Sequence, residues 1–212
     1  MIGKHTLQLL RRIIADRDDR AYAMWRIAMA CRGIDLGIES TAKLHLSAER
    51  SFGYSNTGGP GLDHVLRSLP ISSDDCALDV GCGKGGAIIT MARFPFRRVD
   101  GVEISPKLVD IGLKNIKRLA IEKSAIVCTD AADFRDFDRY NFLYMFNPFP
   151  ASVLHDVLLN VRASLKRLPR RLRLLYVYGD AGVDDLILKA KFDRDSTLML
   201  RTHQAVAVYV SR

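Results

Sequence analysis

The sequence of 212 residues predicts an α/β domain: a doubly wound, mostly parallel seven-strand sheet with a terminal antiparallel hairpin, preceded by an N-terminal helical extension. Three observations lead there. From residue 76 onward, short apolar runs alternate with segments of helical periodicity, the pattern of a parallel sheet covered by helices on both faces. The first apolar run, Cys76-Ala-Leu-Asp-Val80, passes through Gly81-Cys-Gly-Lys-Gly-Gly86 into a new helical pattern, which places the glycines at a strand-to-helix turn. At the other end, Leu198-Met-Leu-Arg-Thr202 and Ala205-Val-Ala-Val-Tyr-Val210 are separated only by His203-Gln204, the spacing of a hairpin.

In chain order, Leu7, Leu10 and Ile14, then Met24, Trp25, Ala28 and Met29, recur at helical spacing around the polar break Asp16-Arg-Asp-Asp-Arg20, predicting two helices joined by a turn. The stretch from Gly33 to Pro60 is less periodic and rich in turn formers between Ser47 and Pro60. With Phe52 and Tyr54 in it, it reads as an ordered, lid-like loop across the mouth of a site. Residues 61–69 form a short helix ended by Pro70. Strands follow at 76–80, 99–103, 125–128, 140–146 and 172–178, and helices at 86–93, 106–119, 150–167 and 182–190, the second of these opened by Ser105-Pro106. The length suits one domain with an extension, so residues 1–60 are expected to pack as N-terminal helices and a lid-like loop on a main domain of residues 61–212.

No stretch approaches the roughly twenty apolar residues of a membrane span, and Met1-Ile-Gly-Lys-His5 lacks a signal-peptide core, so a cytoplasmic protein without membrane partners is expected. Cys31, Cys76, Cys82 and Cys128 are widely spaced and the five histidines scattered, which argues against zinc and against a disulfide framework. The formal net charge of +8 makes nucleic acid a candidate partner. Its densest part, Arg162, Lys166, Arg167, Arg170, Arg171 and Arg173, falls at a helix C-terminus, where cations also complement the helix dipole.

Gly81-x-Gly83-x-x-Gly86 matches the dinucleotide fingerprint, and Glu103 stands where a ribose-binding acid is expected. Asp79 decides between ligands. A carboxylate just before the first glycine repels a pyrophosphate and suits a ligand with an ammonium and a sulfonium, as in S-adenosylmethionine (SAM). Asp79-x-Gly81-x-Gly83-x-Gly85, Glu103, the segment Cys128-Thr-Asp130-Ala131 and Asn147-Pro148-Phe149-Pro150 together resemble the motifs of class I, Rossmann-like SAM-dependent methyltransferases over roughly residues 54–210. The terminal hairpin is also similar to the end of that family's sheet.

The resemblance implies SAM as cofactor and S-adenosylhomocysteine (SAH) as product. Asp79 and the backbone of Gly81, Gly83 and Gly85 would hold the methionine moiety, with Tyr54 closing over its tail. Glu103 would accept from both ribose hydroxyls, Asp130 from the adenine amino group, the Ala131 amide would donate to the ring, and Ile104 would pack on its face. Asn147 and the Pro148 carbonyl would face the sulfonium and orient the acceptor, with Phe149 as an apolar wall; the alternative is that Asn147 caps the next helix. This quartet resembles the Asn-Pro-Pro-Tyr/Phe signature of enzymes that methylate amino groups of adenine, cytosine or glutamine, but Phe149 and Pro150 exchange the last two residue types. The favoured acceptor is a protein side chain or a small metabolite. Nucleic-acid methylation, a non-catalytic SAM-binding module and, last, an NAD-dependent oxidoreductase are the alternatives. Asp133, Asp136 and Tyr144 are general-base candidates by chain position.

Overall fold

The structure is a computed structural model that describes residues 17–44, 47, 49–201 and 204–212. Seven strands form one sheet: β1 (Cys76–Val80), β2 (Arg98–Glu103), β3 (Ile126–Cys128), β4 (Phe142–Phe146), β5 (Arg173–Val177), β6 (Phe192–Arg201) and β7 (Gln204–Ser211), in the order β3-β2-β1-β4-β5-β7-β6. The first five strands run parallel and β7 enters antiparallel to β5 and β6. The strand order reverses direction beside β1, between β2 and β4, the place where open α/β sheets leave a crevice at the strands' carboxyl ends.

The central strands alternate between two cores. In β4, Leu143 and Met145 face one side while Phe142 and Tyr144 face the other; in β5, Leu174 and Tyr176 are set against Leu175 and Val177. One core is closed by α6 (Ala151–Arg167) and α7 (Ala181–Lys189), the other by α3 (Pro60–Arg67), α4 (Gly86–Met91) and α5 (Pro106–Arg118). Along α6, Val153, Leu154, Val157, Leu158, Val161 and Leu165 recur at helical spacing and are buried. Starts are fixed locally: Pro106 occupies the first turn of α5, and the Asp180 side chain accepts the Val183 N–H at 2.9 Å to cap α7.

Two sequence expectations are corrected. The polar stretch expected as a break between two helices is largely the first turn of α1 (Arg17–Cys31), where Asp18 and Asp19 favour a helix N-terminus. Leu7, Leu10 and Ile14 lie outside the described residues. On α1, Met24 and Ala28 face solvent, and the packed face is Tyr22, Trp25 and Met29. The second correction concerns β6, which begins at Phe192, six residues before the expected strand. Its first half, Asp193-Arg-Asp-Ser196, is an edge strand whose polar side chains hide any apolar alternation.

Between α1 and α3, past a single turn of helix, α2 (Thr41–Leu44), the chain crosses the carboxyl ends of the strands as a strap. Glu39 and Tyr54 form an antiparallel bridge within it. At its far end the chain threads between α1 and α4: Tyr22 Oη donates to the Asn56 carbonyl at 3.2 Å, and the Gly59 N–H donates to Thr90 Oγ1 at 2.8 Å. A Cβ at Gly58 would stand 1.9 Å from the Gly86 carbonyl oxygen, a backbone atom that cannot rotate away. Gly58→Ala is therefore expected to cost about 1–3 kcal/mol by overpacking, seen as a lower urea midpoint at an unchanged m-value.

Candidate functional site

A cavity of about 230 Å³ lies at the carboxyl ends of β1, β2 and β4, roofed by the strap. Its floor is the turn between β1 and α4. The N–H groups of Gly81 and Cys82 both donate to the Val102 carbonyl, at 2.9 and 3.0 Å, tying the turn to β2. Gly81 (φ 83°) and Gly83 (φ 54°) take left-handed conformations and also admit close neighbours: a Cβ would stand 2.4 Å from Pro148 at the first and 2.1 Å from the Tyr54 ring at the second. Gly81 lines the cavity. Gly83 and Gly85, expected to touch a cofactor, stand behind that wall; Gly85 is the N-cap of α4 and faces Gly112 and Ile126.

Asp79 and Glu103 both open on the cavity, with 3% and 6% of their surface exposed. Glu103 is held in place: its Oε2 accepts the Gly83 N–H at 2.8 Å and its Oε1 the Ser105 N–H at 2.9 Å. Burial pushes its carboxyl up, against those backbone donors. The Asp79 carboxyl makes no hydrogen bond among the described residues, and burial, with Glu103 nearby, pushes it well above the ordinary range. A buried carboxylate with no protein partner fits a ligand that brings a cation. SAM brings an ammonium and a sulfonium, so the residues fit that group.

Ile104, Asp130 and Ala131 line the same cavity. Asp130 is already occupied: Oδ1 accepts the Ala132 N–H at 2.9 Å, and Oδ2 is paired with the Arg50 guanidinium, whose Nε lies at 2.9 Å. An adenine amino group would share Oδ2 with Arg50. Tyr54 lines the cavity too; its buried hydroxyl, pushed well up by desolvation, has no hydrogen-bond partner among the described residues. Cys82 sits in the wall with a thiol that burial pushes well up, which makes it unreactive filling.

On the opposite side, Phe146, Asn147, Pro148, Phe149 and Tyr178 form the wall. Asn147 (φ 37°) and Tyr178 (φ 60°) follow directly on the ends of the paired strands β4 and β5, both at positive φ, which asparagine tolerates and tyrosine rarely adopts. Two expectations change here. The Pro148 carbonyl accepts the Phe52 N–H at 3.1 Å, so it fastens the strap instead of facing a ligand unpaired. Asn147 does not cap α6, whose N-cap is Pro150; its Oδ1 accepts from Tyr176 Oη at 3.2 Å. Phe149 is buried and joins the core as well as the wall. Asp133, Asp136 and Tyr144 do not line the cavity: the two aspartates face solvent, and Tyr144 is buried in the core below.

Three contributors escape sequence reasoning. Arg50 and Lys84 act through partners 80 and 49 residues away, and no local pattern marks them. Tyr178 carried a usable signal, an aromatic residue directly after a central parallel strand. Of the basic run, Arg167 pairs with Asp138 at 3.0 Å, and the Arg170 guanidinium donates to the carbonyls of Tyr140 and Phe137 at 2.8 and 2.7 Å. Those two cations hold the sheet's lower edge together.

The chain presents a cavity at the switch point of a seven-strand sheet, with a buried acid before its glycine turn. A family model described as a methyltransferase domain matches residues 77–168. Residues 77–168, from β1 to the end of α6, are thus similar to a methyltransferase domain. Among curated proteins, it is 40% identical over 61 residues to geranyl diphosphate 2-C-methyltransferase of Streptomyces ambofaciens, covering 29% of this chain and 20% of the relative. It is 28% identical over 138 residues to a sterol 4-C-methyltransferase of Caenorhabditis elegans, covering 63% of this chain and 37% of the relative. The chain thus spans well under half of either. Among solved structures, magnesium protoporphyrin IX methyltransferase from Synechocystis with bound SAM superposes with a TM-score of 0.56 at 16% identity, over 72% of this chain and 80% of that one. An RNA methyltransferase from Salinibacter ruber in complex with SAH gives 0.53 at 20% identity, over 70% and 88%.

Two outcomes are expected. Glu103→Ala should weaken SAM by roughly ten- to a hundredfold, read by calorimetric titration. Asp79→Asn should act in opposite directions on affinity and stability. With its carboxyl raised in the folded state, Asp79 favours folding fully only below the unfolded-state carboxylate range, and that contribution is lost as pH rises through the raised value. The ligand-free variant should therefore be more stable than the parent at pH 7, by about 1–3 kcal/mol, with a flatter decline between acid and neutral pH in thermal melts, while binding SAM at least about tenfold more weakly.

Proposed function

We propose that the protein is an active methyltransferase that transfers the methyl group of SAM to a small, largely apolar acceptor. One observation carries this reading: a single cavity joins a buried, unpartnered carboxylate, Asp79, to an aromatic wall of Phe146, Phe149 and Tyr178. In it, Asp79 meets the methionine ammonium, Glu103 the ribose hydroxyls, and Asp130, Ala131 and Ile104 the adenine, with Gly81 and Tyr54 closing on the methionine tail. Bound SAM would supply an electrophilic methyl group. The chain's own share is alignment and exclusion of water. Asn147 and Pro148 set the level at which the acceptor meets the wall, Phe149 backs it, and the rings of Phe52 and Tyr178, 44% and 47% exposed, flank the mouth.

A small acceptor is favoured over a protein or a nucleic acid for two reasons. The strap covers part of the site from Arg50 to Thr57, leaving a narrowed cavity of about 230 Å³ in place of an open groove. The two curated relatives are named for methylating geranyl diphosphate and a sterol. Apart from the carboxylates assigned to the cofactor, no aspartate, glutamate, histidine or lysine lines the described cavity, which suits an acceptor that needs no strong base at the methyl. Of the expected N-terminal segment, the described residues 17–44 and 49–60 serve as a cap on the SAM-binding domain that begins at residue 61. The four free thiols accord with a cytoplasmic location.

The test is incubation with methyl-labelled SAM and fractionated lysate. Label is expected in the small-molecule fraction; label in protein or RNA would overturn the acceptor class. Once an acceptor is known, Tyr178→Ala should lower kcat/KM for it about tenfold or more while SAH affinity stays within twofold, which separates the acceptor wall from the cofactor floor.

A further inference from the structure

The second variable residue of the glycine turn is Lys84, with 1% of its surface exposed although it carries a charge. A buried ammonium is retained only where partners replace its water. Here they all come from the strap. Lys84 Nζ donates to both oxygens of Asp35 at 3.0 Å and to Glu39 Oε1 at 3.4 Å, and it lies 5.6 Å from the centre of the Tyr54 ring. Glu39 is in turn the bridge partner of Tyr54: the Tyr54 N–H donates to the Glu39 carbonyl at 2.9 Å, and the Glu39 N–H to the Tyr54 carbonyl at 3.3 Å. The Tyr54 ring lies against Gly83, and its hydroxyl is buried beside the cavity without a partner among the described residues.

A second connection runs in parallel. Asn115, buried on α5, donates through Nδ2 to the Asp35 carbonyl at 2.8 Å and to the Lys84 carbonyl at 3.0 Å, while its Oδ1 accepts the Asp35 N–H at 3.0 Å. The start of the strap and the glycine turn are therefore joined by two ion pairs and three hydrogen bonds, all at the far side of the turn from the ligand. Lys84 does not line the cavity and has no direct contact to offer the cofactor.

Taking the SAM site as assigned above, we infer that Lys84 is a positioning residue: through Asp35 and Glu39 it fixes the strap so that Tyr54 is held over the methionine end of the cofactor. Its charge is spent on the strap, and its effect reaches the ligand through Tyr54. Loss of the ammonium leaves Glu39 with Lys107 alone, at 3.7 Å from its Oε2, loosens the bridge to Tyr54 and leaves the cofactor open to solvent at that end.

The experiment is a double-mutant cycle read by calorimetric titration with SAH, alongside thermal melts and steady-state kinetics. Lys84→Met, which keeps the length and apolar stem, should weaken SAH about tenfold or more and raise the KM for SAM, with kcat at saturating SAM within about threefold of the parent. Glu39→Gln should weaken SAH in the same direction, and Lys84→Met added to Glu39→Gln should cost clearly less than Lys84→Met alone. A Lys84→Met protein that melts lower yet binds SAH within twofold of the parent would show a purely structural lysine and overturn the inference, as would effects of the two substitutions that multiply independently. Glu39→Gln and Asp35→Asn, both at partly exposed positions, carry the same comparison if Lys84→Met does not fold: unchanged SAH affinity in both overturns it. Failure of the parent protein itself to bind SAH would refute the SAM assignment and with it the role of Lys84. Where the parent binds SAH, a loss or retention of affinity in the variants bears on the lysine alone.

Discussion

Two carboxylates buried side by side, Asp79 on β1 and Glu103 at the end of β2, are the constraint around which this molecule is arranged. Like charges taken out of water repel and lose hydration, so their placement costs stability unless something compensates. Glu103 is compensated from within by the amides of Gly83 and Ser105, and in accepting them it also sets the course of the glycine turn and the entry into α5. The Asp79 carboxyl has no such donor among the described residues and opens on the cavity. The protein thus keeps an acid without a side-chain partner buried in the floor of the cavity, where a cation would be favoured.

The strap follows from the same constraint. A buried charge is sensitive to water, and the strap excludes water by fastening at several independent places: the Lys84 ion pairs at its start, the Arg50 pair with Asp130, the Phe52 amide on Pro148, and the Asn56 to Gly59 passage between α1 and α4. Each fastening also touches a site element, so the cap and the floor are not separable structures. The glycines of the turn allow this, since side chains at Gly81 or Gly83 would occupy the space of Pro148 and Tyr54.

What was legible in the sequence was what chain-local geometry imposes. The strand-turn-helix around Gly81 and the interval to Glu103 reflect a fixed crossover, so Asp79, Glu103, Asp130 and the β4 loop could be placed by counting. Features made by distant partners were not legible. Arg50 looks like any surface cation until residue 130 is brought to it, and Lys84 like a tolerant position in a glycine motif until Asp35 arrives. The first half of β6 was missed because an edge strand with one face in solvent need not alternate, and the packed face of α1 was misjudged because three of its apolar residues, Met24, Ile27 and Ala28, point outward. Positive φ at Tyr178 leaves no mark on residue type, whereas Asn147 is of a type that adopts it more readily than most.

The two borders of the sheet have a consequence for how the molecule meets others. At one border β3 has only three residues; at the other, β6 has Asp193, Arg194 and Asp195 directly after its first residue and carries irregular pairing to β7 at Arg194/Ser196 and Met199/Arg201. A short border and a charged, bulged one both make poor templates for a further strand. The folded sheet is thereby a poor site for growth by backbone pairing, and recognition by other molecules is left to side chains on the faces and loops.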